Sequence, residues 1–237
     1  MDPDAGYTLD KLTVSDADGN GIALTNAGNG AYAFAMPESD VQIDVSFTEQ
    51  GQTQPLPFED VLPEAWYYDA VQYVYENGMM NGISETAFGP DVTTSRAMIV
   101  TILYRLENEP EAPAAGFTDV AAGTYYADAV AWAAANGIVT GVSETVFAPD
   151  NAITREQMAA ILYRYAQFKG WDVTAGSDLS AYADASRISA YAVEAMRWAN
   201  AEGLITGVTD TALEPQGSAT RAQAATILMR FCENIAK

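Results

Sequence analysis

The chain has 237 residues, with 32 acidic and 11 basic side chains, a formal net charge of −21, no histidine and one cysteine. That charge repels nucleic-acid phosphates and anionic lipid heads, so neither nucleic acid nor a membrane is expected as a partner. The missing histidine removes Ser-His-Asp and Cys-His catalysis and His-ligated zinc, one cysteine cannot form an intrachain disulfide, and 49% hydrophobic residues suit a globular chain.

The N-terminus, MDPDAGYTLD, lacks the basic and apolar regions of a signal peptide. Residues 1–48 read as a small antiparallel β unit. Short alternating runs (Tyr7–Leu9, Leu12–Val14, Ala31–Phe34, Val41–Phe47) are separated by the turn clusters DADGNG and NAGNG. Residues 1–57 hold nine acids and one base, a local charge of −8. Asp16-Ala-Asp-Gly-Asn-Gly21 superficially resembles a calcium loop. The twelfth position, where an EF-hand needs glutamate, is Ala27, so a hairpin turn and no metal are expected. Residues 49–57, EQGQTQPLP, read as a linker.

Beyond it the chain repeats. NGMMNGISETAFGPD (77–91) recurs as NGIVTGVSETVFAPD (136–150), 59 positions on, and EGLITGVTDTALEPQ (202–216) follows 66 later. The units span 58–106, 117–165 and 182–231. Each opens on an aromatic-x-Asp signal ending in Asp60, Asp119 or Asp184. A first helix is expected near 65–77, 125–136 and 189–202, closed by Gly78, Gly137 or Gly203 as C-cap glycines. A loop with a second glycine (Gly82, Gly141, Gly207) and a proline follows. The second helix begins at an N-cap, Ser95, Thr154 or Thr220; Gln157 and Gln223 complete capping boxes, and Met98 does not. Apolar sets such as Ile99/Ile102/Leu103/Leu106 have helical spacing, and the three units should share one core.

Six of eight arginines occupy two repeat positions. Arg96, Arg155 and Arg221 follow the N-caps, where a cation is locally unfavourable unless an anion joins it. Free N–H groups and a guanidinium fork would make a carboxylate site. The residues alone leave two readings: a ligand, or a neighbouring repeat's acid such as Asp60, Asp119 or Asp184. Arg105, Arg164 and Arg230, in the last turn of helix two, read as structural.

The combination F-x-D-V, A-V-x-x-A-x-x-N-G-I-x-x-G, F-x-P-D and T-R-E-Q-x-A-x-I-L-Y-R-Y, best kept from Phe117 to Tyr165, resembles the S-layer homology repeat. The β unit looks like the tail of a small β repeat of secreted bacterial surface proteins, starting mid-repeat, which suggests a fragment of a larger exported protein. The resemblance implies a mainly α fold: three helical repeats in a pseudo-threefold spindle with a central three-helix bundle. It implies noncovalent anchoring to secondary cell-wall polysaccharide of Gram-positive bacteria, typically one bearing pyruvylated N-acetylmannosamine, held in grooves between repeats. The chain would then be extracellular, a monomer with an internal pseudo-trimer, without catalysis or cofactor. The expected ligand residues are Arg96, Arg155 and Arg221 with Thr154, Thr220, Gln157, Gln223, the three aspartates, Gly82, Gly141 and Gly207. Trp132, Trp198 and Tyr73 join them as sugar-stacking aromatics, with a packing role as the other reading. The family's T-R-A-E ends here in Met98, Gln157 or Gln223, and Pro-Asp becomes Pro215-Gln216 in unit three, so the ligand and the equivalence of the grooves are in question. The alternative is a protein–protein assembly module of a surface layer or adhesin without direct glycan binding.

Overall fold

A computed structural model describes residues 7–28, 31–49, 56–113 and 116–236. Most of the linker read over 49–57, the tip of the NAGNG turn and the chain's first six residues lie outside them. The chain divides into two units, residues 1–55 and 56–237.

In the first unit, β1 (Tyr7–Asp16) pairs antiparallel with β4 (Val41–Glu49), and β2 (Thr25–Gly28) pairs with β3 (Ala31–Ala33). The two runs Tyr7–Leu9 and Leu12–Val14 are one strand. A register shift between Leu9 and Lys11 moves the side-chain alternation by one residue, which made one strand look like two. Val14, opposite Ile43, is buried, whereas Ile43 and Phe47 are exposed. The Asp16 cluster is a turn: the Asp16 carboxylate accepts from the N–H groups of Asp18 and Asn20, and Gly19 supplies a φ of +83°.

The second unit contains α1 (Tyr68–Glu76), α2 (Arg96–Leu106), α3 (Ala127–Ala135), α4 (Arg155–Lys169), α5 (Val193–Ala201) and α6 (Arg221–Asn234). Each first helix starts two to four residues later than expected, because single turns come first. Ala65 and Tyr68 N–H, for example, bond back to Leu62 and Ala65 carbonyls. Gly78, Gly137 and Gly203 end these helices at φ of +65° to +69°, as a C-cap glycine should. The N-caps Ser95, Thr154 and Thr220 each accept from the N–H three residues on. Both predicted capping boxes form, and none forms at Met98. Thr154 and Thr220 are thereby spent on their own helices.

Helix two of each repeat packs on helix one of the next: α2 with α3, α4 with α5, and α6 back on α1. Single β-bridges Thr93–Thr220, Ser95–Ala152 and Thr154–Ser218 tie the segments before the three second helices to one another. The result is a closed, pseudo-threefold ring of repeats around one core. Val71, Leu103, Val130, Leu162, Met196, Leu228 and Phe231 are all fully buried there. Each such side chain contributes about 1.5–3 kcal/mol by leaving water, which no single repeat could collect alone.

Candidate functional site

The arginines after the N-caps are buried, at 5–6% exposure. Arg96 Nε donates to the Phe147 carbonyl at 2.9 Å and Nη2 to the Thr140 carbonyl at 3.2 Å. Arg155 donates in the same way to Leu213 and Thr206, and Arg221 to Phe88 and Asn81. Each therefore reaches into the loop of the next repeat, and the third returns to the first. Two also lie over a ring, Arg96 at 4.6 Å from the Phe147 centroid and Arg221 at 4.5 Å from that of Phe88; Leu213 offers Arg155 none. Burial pushes all three guanidinium groups below their ordinary value, and they remain charged.

The helix starts are not open anion sites. The N–H groups of Arg96 and Ala97 donate to the Asn151 and Pro149 carbonyls, those of Arg155 and Glu156 to Gly217 and Pro215, and those of Arg221 and Ala222 to Val92 and Pro90. The expectation of free backbone donors fails because carbonyls of the neighbouring loop already answer the helix dipole. What remains is Nη1 of each arginine, which has no hydrogen bond among the described residues.

The aspartates hold the same loops from the other side. Asp119 accepts from Phe147 and Ala148 N–H at 2.8 and 2.7 Å, and Asp60 and Asp184 do the same for Phe88/Gly89 and Leu213/Glu214. Phe147 is thus clamped by Asp119 at its N–H and by Arg96 at its carbonyl. No arginine–aspartate ion pair forms at these positions among the described residues. Burial pushes Asp119 up, but its backbone donors and nearby Arg96 outweigh this and hold it below the usual carboxylate range. Asp184 is held down first by the Leu213 N–H. Gly82, Gly141 and Gly207 serve the loop fold: a Cβ there would sit 2.1–2.4 Å from the carbonyl oxygen two residues on and 2.5–2.8 Å from the aromatic ring that opens the repeat.

Three grooves open between repeats. One, of about 400 Å³, is lined by Arg155, Arg230, Gly207, Gln223 and Trp66; a second, of about 410 Å³, by Arg96, Arg164, Gly141, Gln157 and Tyr191. The third, lined by Arg221, Arg105, Asn81, Tyr125 and the methionines 79, 80 and 98, measures about 190 Å³. Each groove combines an N-terminal arginine of one repeat, the second recurrent arginine of the next and an aromatic of the remaining repeat. Of Arg105, Arg164 and Arg230, read as structural last-turn residues, only Arg105 lies in a last turn, because α4 and α6 run on to Lys169 and Asn234; all three line the grooves. So do Trp66, Tyr125 and Tyr191, which the sequence reading passed over. They recur at the same offsets of 59 and 66, and that register was the signal for them.

Trp132 and Trp198 do not reach a groove. Trp132 is 3% exposed and Trp198 0%, packed against Tyr104 and Tyr163 respectively. Their position on helix one faces the preceding repeat's second helix, so the stacking role is corrected to core packing. Tyr73 is half-buried against the same core, and burial pushes its phenol above the ordinary value. Among the described residues no cluster could hold a metal ion, and no helix is long and apolar enough to cross a membrane.

The S-layer homology domain matches residues 57–97, 116–159 and 181–225. The surface-layer 125 kDa protein of Lysinibacillus sphaericus is 37% identical over 171 residues, covering 70% of this chain and 14% of that protein. An endoglucanase of Bacillus sp. (strain KSM-635) is 31% identical over 190 residues, 80% of this chain and 20% of the enzyme. The exoglucanase XynX of Acetivibrio thermocellus is 29% identical over 223 residues, 94% of this chain and 19% of its own. The chain spans a fifth or less of each of these relatives. With three matched copies, closed into one ring of repeats, the chain belongs to the S-layer homology domain family.

Proposed function

We propose that the chain is a cell-surface anchoring module whose inter-repeat grooves bind an acidic wall polysaccharide, outside the cell. One observation carries this reading: in a chain with 32 acids, the three grooves take up all six recurrent arginines and no acidic side chain lines any of them. In such a recess a guanidinium pair attracts an anion far more strongly than on an open surface. A carboxylate such as that of a pyruvyl ketal would take the spare Nη1 donor and the guanidinium of Arg105, Arg164 or Arg230, while the exposed ring of Trp66, Tyr125 or Tyr191 would cover a sugar face. The surrounding −21 field then acts as a filter against polyanions too large to enter. Surface-layer proteins and polysaccharide-degrading enzymes among the relatives fit a shared attachment module.

The test is cosedimentation with Gram-positive sacculi before and after chemical removal of pyruvyl groups. Binding should follow the pyruvylated polymer. Equal binding to both preparations would remove pyruvate from the reading, and no binding to either would leave protein–protein assembly as the alternative.

A further inference from the structure

The three grooves carry the same types of residue but not the same bonds. In the groove bounded by Trp66, Arg230 turns Nη1 toward the Gly203 carbonyl at 3.3 Å. In the groove bounded by Tyr125, Arg105 has Glu109 at 3.8 Å, and methionines fill much of the space. In the third, Arg164 is half-buried and makes no hydrogen bond or ion pair among the described residues, and it faces Arg96. The two like charges oppose each other: burial pushes the Arg96 guanidinium down and Arg164 adds to that push. An anion between them relieves both.

The wall of that groove is also held in place. Glu156, 4% exposed, stands where the other repeats have Ala97 and Ala222. Its carboxylate accepts from the Ser189 N–H at 2.9 Å, the Ser189 hydroxyl at 2.7 Å and the Tyr191 hydroxyl at 3.3 Å. Trp66 and Tyr125 pack edge-on against the neighbouring Tyr67 and Tyr126 rings but have no hydrogen-bonded tether among the described residues, and they are 68% and 61% exposed, against 53% for Tyr191. An aromatic without a hydrogen-bonded tether loses more rotamer freedom when a ligand orders it than one whose hydroxyl is already held.

We propose that the Tyr191 groove is the single high-affinity anion groove of the three, with Arg96 and Arg164 sharing one carboxylate and Glu156 acting as the positioning residue that preforms it through Tyr191. This rests on the grooves being the polysaccharide site.

The experiment uses the full chain with labelled valine and methionine methyl groups. Val142 reports the Tyr191 groove, Val208 the Trp66 groove and Met98 the Tyr125 groove. The probe is the methyl glycoside of pyruvylated N-acetylmannosamine, with the unpyruvylated sugar as control. Val142 should reach half-saturation at a concentration about five-fold below that of Val208. Tyr191→Phe, which keeps the ring, should raise the Val142 midpoint about five-fold and leave Val208 unmoved. Glu156→Ala should do the same, the double variant should add nothing further, and the Tyr191 phenol, pushed up to about 12 by burial and by Glu156, should titrate lower in Glu156→Ala. Val142 and Val208 midpoints that coincide, or a Val142 midpoint untouched by Tyr191→Phe, would overturn the inference alone. No pyruvate-dependent response at any of the three reporters would overturn the groove reading with it.

Discussion

The two arginine rows recur with equal regularity, yet they stand in different surroundings. Arg96, Arg155 and Arg221 are almost wholly buried and spend two donors each on backbone carbonyls of the next repeat. Arg105, Arg164 and Arg230 are reached by solvent; Arg105 and Arg230 each have one long contact, and Arg164 has none among the described residues. The first row closes the ring and the second lines its openings. Periodicity marks a residue as part of the repeat's design; the density of its bonds tells whether that design is holding the fold or facing outward.

The sharpest way to break this contrast is to truncate the first row. Arg96→Ala or Arg221→Ala should cost about 3 kcal/mol, since two buried carbonyls lose their donor. Arg155→Ala should cost less by up to about 1 kcal/mol, because it has no ring beneath it. Urea unfolding measures both, and a loss under about 1 kcal/mol for Arg96→Ala would contradict the stapling role. The same fact rules out Arg155→Ala as a clean binding mutant. Arg164→Ala should be the converse: stability within about 0.5 kcal/mol of wild type, with wall-polymer affinity down about ten-fold. If Arg164→Ala unfolds the protein instead, the two rows are not distinct.

Acid should expose the clamp on the other side of the loops. Asp119 and Asp184 have folded values below their ordinary ones. Their contribution is therefore complete above about pH 4 and lost as pH falls through the depressed values. The urea midpoint should drop between about pH 4 and 2, and drop less in an Asp119→Asn, Asp184→Asn double variant; an equal drop would assign the acid sensitivity elsewhere. The smallest effect concerns the residue that follows the clamped one. Ala148 sits at φ +59° and Glu214 at φ +50°, where the first repeat has Gly89 at +70°. Ala148→Gly should stabilise by up to about 1 kcal/mol, read from the thermal midpoint; a destabilised variant would show that the left-handed turn carries no strain.

Much of this architecture was legible because repetition exposed it. Offsets of 59 and 66 gave the number of units, the N-caps, the capping boxes and the C-cap glycines, all of which depend on bonds within a few residues. What was not legible depends on contacts between repeats. Nothing near Arg96 in the chain announces that Thr140 and Phe147 carbonyls will meet it, so its helix start looked like an open anion site. Trp198 and Trp66 recur with similar regularity, and only the packing of α5 on α4 makes one core and the other wall. The β unit shows the reverse: strong local alternation made β1, β3 and β4 readable as strands, while β2 lies in residues read as the NAGNG turn and a single register shift split β1 in two.

The return of α6 and Arg221 to the first repeat makes the ring depend on its last piece. Arg221 bonds to Asn81, 140 positions earlier, and α6 covers α1. During synthesis the first repeat must therefore wait with the apolar face of α1 uncovered and the Phe88 carbonyl unanswered until the third has emerged. A chain lacking the third repeat should be poorly folded as a whole rather than two-thirds folded. A circular permutant opened between repeats one and two, with its old ends joined, keeps every inter-repeat clasp and should close the same ring.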